Sequence, residues 1–533
     1  MISRSTGTAT GRLVANLTNE RTVMRPVGEL VDELANGNVP KRRVGVVDLG
    51  SNSGRLVVYD QYLPNRLDIV EDARVPLRLA SDLDDDGALD DEALERTIDA
   101  LRAFHAVALG AGAERTIVVG TSAMRDATNS DDLRARVQQE IGVNIKIIDG
   151  LEEARYSFLG AIHGLPVWNG FVLDIGGGSL ELTHFRDRLG VSSWMLPLGA
   201  LRLTKQCLPS DPPSGKEIRR LKQLVARRLS EEGVPKAGKN ELLVGTGGTI
   251  RNIAKINRKQ RPSPIQRLHG YTVPFSRVKR IASSLASLDV ERRAGVPGLN
   301  SDRADSIVGG VIAVQIVMET LGVEEILVSG EGLREGIAYS IVSWTASDPA
   351  IVKQASIAAL ASRFRAWDAG RAHQRVAAAR QLIDTLAPEL PEEFQSALSD
   401  AAFLLDIGRS VDYYNRLSHT AAVVLLADLD GFTHREIALL ASVIREADKR
   451  QTDFGTYAPL LTDDDAPAIA RAGAILALAD EIERRLPDEA PIELQIDVEG
   501  EHVRLSAPAF SDYERGKLSD RFERAFGQVL IFS

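Results

Sequence analysis

The chain has 533 residues, 44% apolar and 26% charged, with a net charge of −10 and a single cysteine, Cys207. That length exceeds one hydrophobic core and predicts about three or four domains, while the lone cysteine excludes an internal disulfide framework or a cysteine metal cluster and fits a reducing cytoplasm. No apolar run approaches the roughly 20 residues that span a bilayer, and the acidic balance argues against broad nucleic-acid binding but not against a locally basic cleft that takes a polyanion.

Residues 1–40 are polar and weakly patterned, a poor secretory signal, and read as a flexible extension with one short helix near 27–35. At Arg43 the pattern becomes VGVVDLGSNSGRLVVYD. Val44, Val46 and Val47 lead into Asp48, the turn residues Gly50, Ser51, Asn52 and Ser53 follow, and Leu56, Val57 and Val58 resume the apolar run, so a strand, a tight turn and a second strand are expected. Residues 89–109 predict an amphipathic helix whose opening acids Asp90, Asp91 and Glu92 suit a helix N-terminus. A buried strand over 116–120 ends in the polar turn Thr121, Ser122, Ala123, Met124 and Arg125, at the strand end where open α/β sheets bind ligands. A helix over 131–140 and a strand over 145–148 come next, then Asp149, Gly150 and Leu151, with Glu152 and Glu153 opening another helix.

Residues 171–182 read FVLDIGGGSLEL, again strand, turn and strand. Three glycines, Gly176, Gly177 and Gly178, leave no Cβ in the way of a ligand, and successive backbone N–H groups can converge on an anion there. Asp174 ends the first strand and would repel a bare phosphate, so a carboxylate beside such a turn points to a cation between them, Mg²⁺. A solvated aspartate in an ordinary glycine hairpin is the plainer alternative. Against it stands the alignment of this stretch with the first one: Asp48 with Asp174, Gly50 with Gly176, Ser53 with Ser179, Arg55 with Glu181. Such self-similarity implies two related domains whose turns face one cleft. Further on, the chain predicts a basic helix over 217–229, a strand over 241–244 ending in a third glycine turn (Gly245, Thr246, Gly247, Gly248, Thr249), and a long helix over 302–321. A strand over 326–329 follows, and Arg334 and Gly336 open a last helix. This is α/β architecture with ligand loops on one edge. Residues 350–485 are helical in period, 491–506 alternate as a hairpin around Glu499 and Gly500, and 512–526 are helical again.

Six segments in this order, VDLGSNS, VGTSAMRDA, IIDGLEEAR, LDIGGGSLEL, VGTGGTIRN and EGLREG, resemble the exopolyphosphatase / guanosine pentaphosphate phosphohydrolase family over 43–345, and more weakly over 350–533. The resemblance implies an α/β fold of two actin-like ATPase (ribonuclease H-like) domains around a cleft, 41–168 and 169–345. An all-α HD-like domain over 350–485 and a small α+β domain over 486–533 would follow. It further implies Mg²⁺-dependent release of a terminal phosphate from inorganic polyphosphate or guanosine pentaphosphate, by a homodimer. Carried over residue by residue, Glu153 matches the general base, Asp174 and Glu181 match acids near the metal and attacking water, and Arg125 matches a phosphate-contacting arginine. Ser51, Asn52, Ser53, Gly176, Gly177, Gly178 and Ser179 match the two phosphate turns, while Gly247 and Gly248 either bind phosphate or close a helix onto the sheet. One departure is Asp149-Gly150-Leu151 where the family carries Ser-Gly; Asp149 either raises the pKa of Glu153 or points away. In the helical part a working HD centre needs histidine before aspartate, but Leu405 precedes Asp406, so no second hydrolytic centre is expected and His373 and His419 are structural or surface residues. Arg363, Arg365, Arg371, Arg375 and Arg380 line a polyanion path or form a solvated helix face.

Phosphoanhydride hydrolysis independently asks for a positioned water, an in-line geometry and neutralised leaving oxygens, which a carboxylate base, an arginine fork and a metal supply. Plainer roles exist for each: Glu153 as a helix N-terminal acid, Arg125 as a surface arginine paired with Asp126, Glu181 as a solvent-facing strand residue. Exopolyphosphatase is the first reading. Guanosine pentaphosphate 5′-phosphohydrolase, a kinase on the same fold and a non-catalytic polyphosphate or nucleotide sensor are the alternatives; an extra carboxylate at Glu153 gains a pure sensor nothing.

Overall fold

The apolar stretch after Arg43 becomes strand β1 (Lys41–Leu49), which buries Val44, Val46, Val47 and Leu49. In this computed structural model the described residues are 41–62, 66–79, 82–83, 86–448, 454–487, 490–492, 494–506, 508 and 510–533; the expected helix near 27–35 and the extension 1–40 lie outside them. The described chain divides into one unit of Lys41–Gln260 with Tyr271–Ser347 and another of Arg261–Gly270 with Asp348–Ser533.

In the first unit β1 pairs antiparallel with β2 (Ser53–Tyr62), and β2 with β3 (Arg66–Pro76). Strands β4 (Arg115–Gly120) and β5 (Ile145–Ile147) add in parallel, giving the order β3-β2-β1-β4-β5. The second sheet repeats the scheme. β6 (Gly170–Ile175), β7 (Leu180–Arg186) and β8 (Leu189–Leu196) form the meander. β9 (Leu242–Thr246) joins β6 in parallel, the edge strand β10 (Tyr271–Pro274) pairs antiparallel with β11 (Glu325–Val328), and the order is β10-β11-β9-β6-β7-β8. Sequence reading had anticipated neither β3 nor β8. Both are largely exposed edge strands, β3 carrying many charged side chains and β8 exposing Leu189, Val191 and Met195, so neither shows the apolar alternation that marks a half-buried strand.

The helices of this unit are α1 (Asp91–Gly110), α2 (Ser122–Asp126), α3 (Ser130–Ile141), α4 (Gly150–His163), α5 (Ala200–Cys207) and α6 (Gly215–Glu231). They continue with α7 (Gly247–Gln260), α8 (Phe275–Ala286), α9 (Val290–Ala294), α10 (Ile307–Leu321) and α11 (Leu333–Ser340). Asp90 caps α1 by accepting from the Ala93 amide, as its opening acids predict. Two expectations change. The third glycine turn is no turn: β9 runs through Thr246, and Gly247 and Gly248 are the first residues of α7. The long helix begins at Ile307 rather than 302, because Ser301–Arg303 form a 3-10 turn that sends Asp302 to an ion pair with Arg74.

One face of the first sheet packs on α1 and α3 through Ile98, Leu101, Phe104, Leu133 and Val137. Its other face is covered by a helix from the far end of the unit, α11, through Ile337 and Ala338 against Val44, Val46, Val57 and Tyr59. Conversely α4, which follows the first sheet in sequence, packs Phe158, Ala161 and Ile162 on Val172, Phe185 and Val244 of the second. The two crossed helices touch backbone to backbone. A Cβ at Gly160 would overlap the Gly332 carbonyl, and one at Gly336 would overlap the Tyr156 carbonyl.

The second unit is helical: α12 (Pro349–Ser362), α13 (Ala369–Leu386), α14 (Glu392–Leu404), α15 (Arg416–Leu426), α16 (His434–Ala447), α17 (Phe454–Tyr457) and α18 (Ala466–Glu483). It ends in the expected hairpin, β12 (Gln495–Glu499) and β13 (His502–Ser506), then α19 (Asp512–Phe526) and an unanticipated strand β14 (Val529–Phe532) parallel to β13. Among the described residues no helix is long and apolar enough to cross a membrane. Arg375, offered by the sequence as part of an exposed basic face, is 1% exposed. Its guanidinium meets Asp406 at 2.5 Å, Glu483 at 2.7 Å and Asp480 at 3.3 Å. Arg416 meets Asp406 at 2.6 Å and Asp480 at 2.5 Å, and Arg371 meets Glu483 at 2.6 Å. Arg371 and Arg375 are therefore engaged inside the unit rather than along a solvent path: the three carboxylates there meet the guanidinium groups of Arg371, Arg375 and Arg416, and Asp406 also meets Arg409 at 3.7 Å.

Removing one member of such a cluster strands buried charge. Arg375→Met is expected to destabilise the protein by about 3–5 kcal/mol in urea denaturation; a loss under about 1 kcal/mol would mean that the cluster is effectively solvated.

Candidate active site

The two aligned hairpins close in the same way. Gly50 N–H donates to the Ser53 carbonyl at 3.2 Å, and Gly176 N–H to the Ser179 carbonyl at 3.1 Å. Across the strands Asp48 faces Arg55 and Asp174 faces Glu181. The turns meet: Gly177 lies against the Ser51 side chain, and Gly178 against Ser122 and Ser51. Ser51 and Ser122 share a hydrogen bond of 2.8 Å. The Asn52 carbonyl accepts from the amides of Leu77 and Arg78 at 3.1 and 3.0 Å, and the carbonyls of Gly176, Gly177 and Gly178 accept from residues at the start of α5. Both turns are thus held by backbone.

Asp174 sits at the end of β6, its Oδ2 accepting from Ser157 Oγ at 2.8 Å. Gly247 has φ +86°, a conformation that favours glycine, and a Cβ there would overlap the Asp174 carboxylate. The first turn of α7 therefore rests directly on the acid, where a helix N-terminus favours negative charge. A Cβ on the next residue, Gly248, would overlap the Arg303 guanidinium.

Glu153 stands in the first turn of α4, where its Oε2 accepts from Arg125 Nη1 at 2.7 Å; the same nitrogen donates to the Ile148 carbonyl at 2.9 Å. Asp126 takes a different partner, Arg202, at 3.1 Å. Asp149 points away from Glu153's carboxylate: it caps α4, accepting from the amides of Leu151 and Glu152 at 2.8 Å. Glu181 is 4% exposed rather than solvent-facing.

These acids share one volume, in which Glu181 is buried and Asp48, Glu153 and Asp174 are half-buried. Burial pushes Glu153 up to about 7, with Asp48 and Asp174 adding to the shift and Arg125 opposing it. Burial, then Glu153 and Asp174, push Glu181 well above the usual carboxylate range. Burial raises Asp174 against the Ser157 hydrogen bond, and raises Asp48 against Arg334. Opposite the acids stand cations that sequence reading did not single out as ligand residues. Burial, with repulsion from Arg334 and Arg55, lowers Arg251 to about 10, and burial lowers Arg303. Arg251 donates to the Gly330 carbonyl at 3.3 Å, and Arg334 Nη1 lies 3.5 Å from Asp48 Oδ2. Asp48 was legible as the counterpart of Asp174. Arg251 lay unremarked within the segment VGTGGTIRN, whereas Ser157 and Arg303 carried no sequence signal, since each joins the site only through packing.

Among the described residues no group of three or more His, Cys, Asp or Glu is placed to cage a metal by itself. Two buried oxygens nevertheless have no hydrogen-bond partner, Asp48 Oδ1 and Glu181 Oε1. Acids with spare lone pairs next to arginines suit a hard cation that keeps water and phosphate oxygens as its other ligands, which is how Mg²⁺ is usually held.

The model of the Ppx/GppA phosphatase family matches residues 57–344, and that of Ppx/GppA phosphatase, domain III, matches 352–515. Exopolyphosphatase 1 of Mycobacterium leprae is 31% identical over 58% of this chain and 93% of that protein. Exopolyphosphatase 2 of Mycobacterium tuberculosis is 31% identical over 56% of this chain and 98% of that protein. A solved PPX-GPPA enzyme of Aquifex aeolicus superposes with a TM-score of 0.51 at 28% identity, covering 56% of this chain and all of that one.

A carboxyl with a folded pKa near 7, against an ordinary value of about 4.3, keeps its proton in the folded state over that window while the unfolded chain has lost it. Stability contributed by this group is therefore lost as pH rises from about 4.3 to 7. In metal-free buffer Glu153→Gln is expected to stabilise the protein at pH 8 by up to about 3 kcal/mol and to change little at pH 4. Chemical denaturation at both pH values checks this; equal effects at both would show that Glu153 is not desolvated.

Proposed function

The chain belongs to the Ppx/GppA phosphatase family and is a phosphoanhydride hydrolase of actin-like ATPase fold; on that premise we propose that it releases terminal orthophosphate from inorganic polyphosphate. The observation that carries this reading is a half-buried Glu153, poised near pH 7, beside three further acids and the guanidinium groups of Arg251, Arg303 and Arg334. Glu153 accepts a proton from a water aligned with the terminal phosphorus. The new P–O bond forms as the anhydride P–O bond breaks opposite, and the shortened chain leaves as a phosphate anion. A base with a pKa near the working pH is efficient in that step. Arg125 holds Glu153 in place and part-ionised, and the guanidinium groups take up charge on the phosphate oxygens. Asp174 and Glu181 would hold Mg²⁺, with water and phosphate oxygens as its other ligands, and the ion would supply the positive charge that lets acids and phosphates share the volume. Ser51, Asn52, Ser53, Gly176, Gly177, Gly178 and Ser179 shape the wall of the phosphate site, and Gly247 and Gly248 let Asp174 and Arg303 approach it. A cytoplasmic setting suits the single cysteine and a polyphosphate substrate.

Phosphate release with Mg²⁺ from long-chain polyphosphate, guanosine pentaphosphate and ATP, compared in parallel, tests the reading. Release from polyphosphate is expected, falling by about 10²–10⁴ in Glu153→Gln. Release from guanosine pentaphosphate alone would keep the mechanism and change the substrate; binding without release from any of the three would make the protein a sensor. The pH profile adds an independent check. Arg125 keeps the pKa of Glu153 down, so in Arg125→Ala the rising limb of kcat/KM is expected to move to higher pH, and an unmoved limb would remove Glu153 from the role of base.

A further inference from the structure

Tyr59 lies on β2, far from both turns, and is 1% exposed. Its hydroxyl donates to Glu335 Oε1 at 2.6 Å, joining residues 276 positions apart. The other oxygen, Oε2, accepts from the Gly332 amide at 2.8 Å, at the start of α11. Glu335 is thus engaged at both oxygens. Burial alone would raise its pKa, but the adjacent Arg334 and the Tyr59 hydrogen bond bring it below the ordinary value, so it is ionised. Arg334, itself 9% exposed, reaches the site: its Nη1 lies 3.5 Å from Asp48 Oδ2, longer than an ordinary hydrogen bond. This guanidinium stands between two carboxylates, one in the site and one behind it, and is held loosely by the one in front.

We propose that Tyr59 and Glu335 are positioning residues that keep Arg334 directed at Asp48 and at the phosphate oxygens arriving there. The inference rests on the hydrolase reading. With a phenol donating to one oxygen and an amide to the other, Glu335 forms no ion pair with Arg334 among the described residues, and the ion pair that Arg334 makes is with Asp48. Its charge still makes burial of the guanidinium tolerable. Without the phenol, Oε1 becomes a free acceptor beside Arg334, and the guanidinium turns back to it, away from Asp48. The neighbouring tie has a different role. Gln61, two residues along the same face of β2, donates to the Ala338 carbonyl at 2.9 Å and fastens the middle of α11 without touching Glu335.

A double-mutant cycle separates positioning from simple support. Tyr59→Phe, Arg334→Ala and the double variant are compared for phosphate release, with Gln61→Leu as a control for a loosened helix. Tyr59→Phe is expected to lower kcat about tenfold while KM stays within about twofold, and to cause no further loss once Arg334 is alanine; Gln61→Leu is expected to keep kcat within about twofold. Independent, multiplying losses in the double variant, wild-type kcat in Tyr59→Phe, or an equal loss in Gln61→Leu would each overturn the proposal. If the wild type released no phosphate, the hydrolase reading would fall. The cycle would then be scored on the rise in unfolding temperature caused by inorganic phosphate. Loss of that rise in Tyr59→Phe, with none further in the double variant, would support the positioning role, and full retention would overturn it.

Discussion

The site depends on keeping Asp48, Glu153, Asp174 and Glu181 close together and partly withdrawn from water. Each would rather be hydrated, and each raises the cost of ionising its neighbours. No single helix or hairpin could impose this. The acids come from β1, α4, β6 and β7, and arginines from α7, α10's preceding turn and α11 share the volume. The tension is useful. A carboxyl kept near pH 7 is a good proton acceptor, and acids with spare lone pairs attract a cation and then phosphate. Stability is given up at the same point, as is usual where a fold is shaped for chemistry.

The duplicated architecture shows how that closeness is reached. Each sheet carries an aspartate at the end of its first strand, and each aspartate is contacted by the helix that has crossed from the opposite half. Ser157 of α4 reaches Asp174 on the second sheet, and Arg334 of α11 reaches Asp48 on the first. The crossing requires two backbones to touch, which Gly160 and Gly336 allow. Because α4 also carries Glu153 one turn before Ser157, the proposed base and the hydrogen bond that steadies Asp174 move as one body.

The second unit handles similar chemistry in the opposite way. Asp406, Asp480 and Glu483 also converge, but on Arg375, with Arg371 and Arg416 pairing with them as well. In the first unit Arg251 and Arg303 make no ion pair among the described residues, and neither does Glu181. Matched charge is a structural device, whereas unmatched charge of both signs in one volume is a place for a ligand. The residue before Asp406, Leu405, already spoke against a histidine–aspartate metal pair there, but only the fold revealed that guanidinium groups take up that charge.

Sequence alone determined the two strand–turn–strand units, their alignment with Asp48 opposite Asp174, and the approximate spans of helices such as α1, α3, α6 and α19, while Glu153, Arg125 and Glu181 were named through the family resemblance. Those features are local: apolar periodicity, glycine runs and capping acids act over a few residues and are written in order along the chain. Edge strands β3 and β8 escaped because solvent imposes no alternation on them. Tertiary structure alone decided that α4 and α11 exchange sheets, that Gly247 and Gly248 open a helix against Asp174 and Arg303, and that Tyr59 meets Glu335. Those pairings join residues tens to hundreds of positions apart, and no local preference encodes which partners packing will select. The pKa of Glu153 belongs with them, because it is set by burial, and burial is a property of the whole fold.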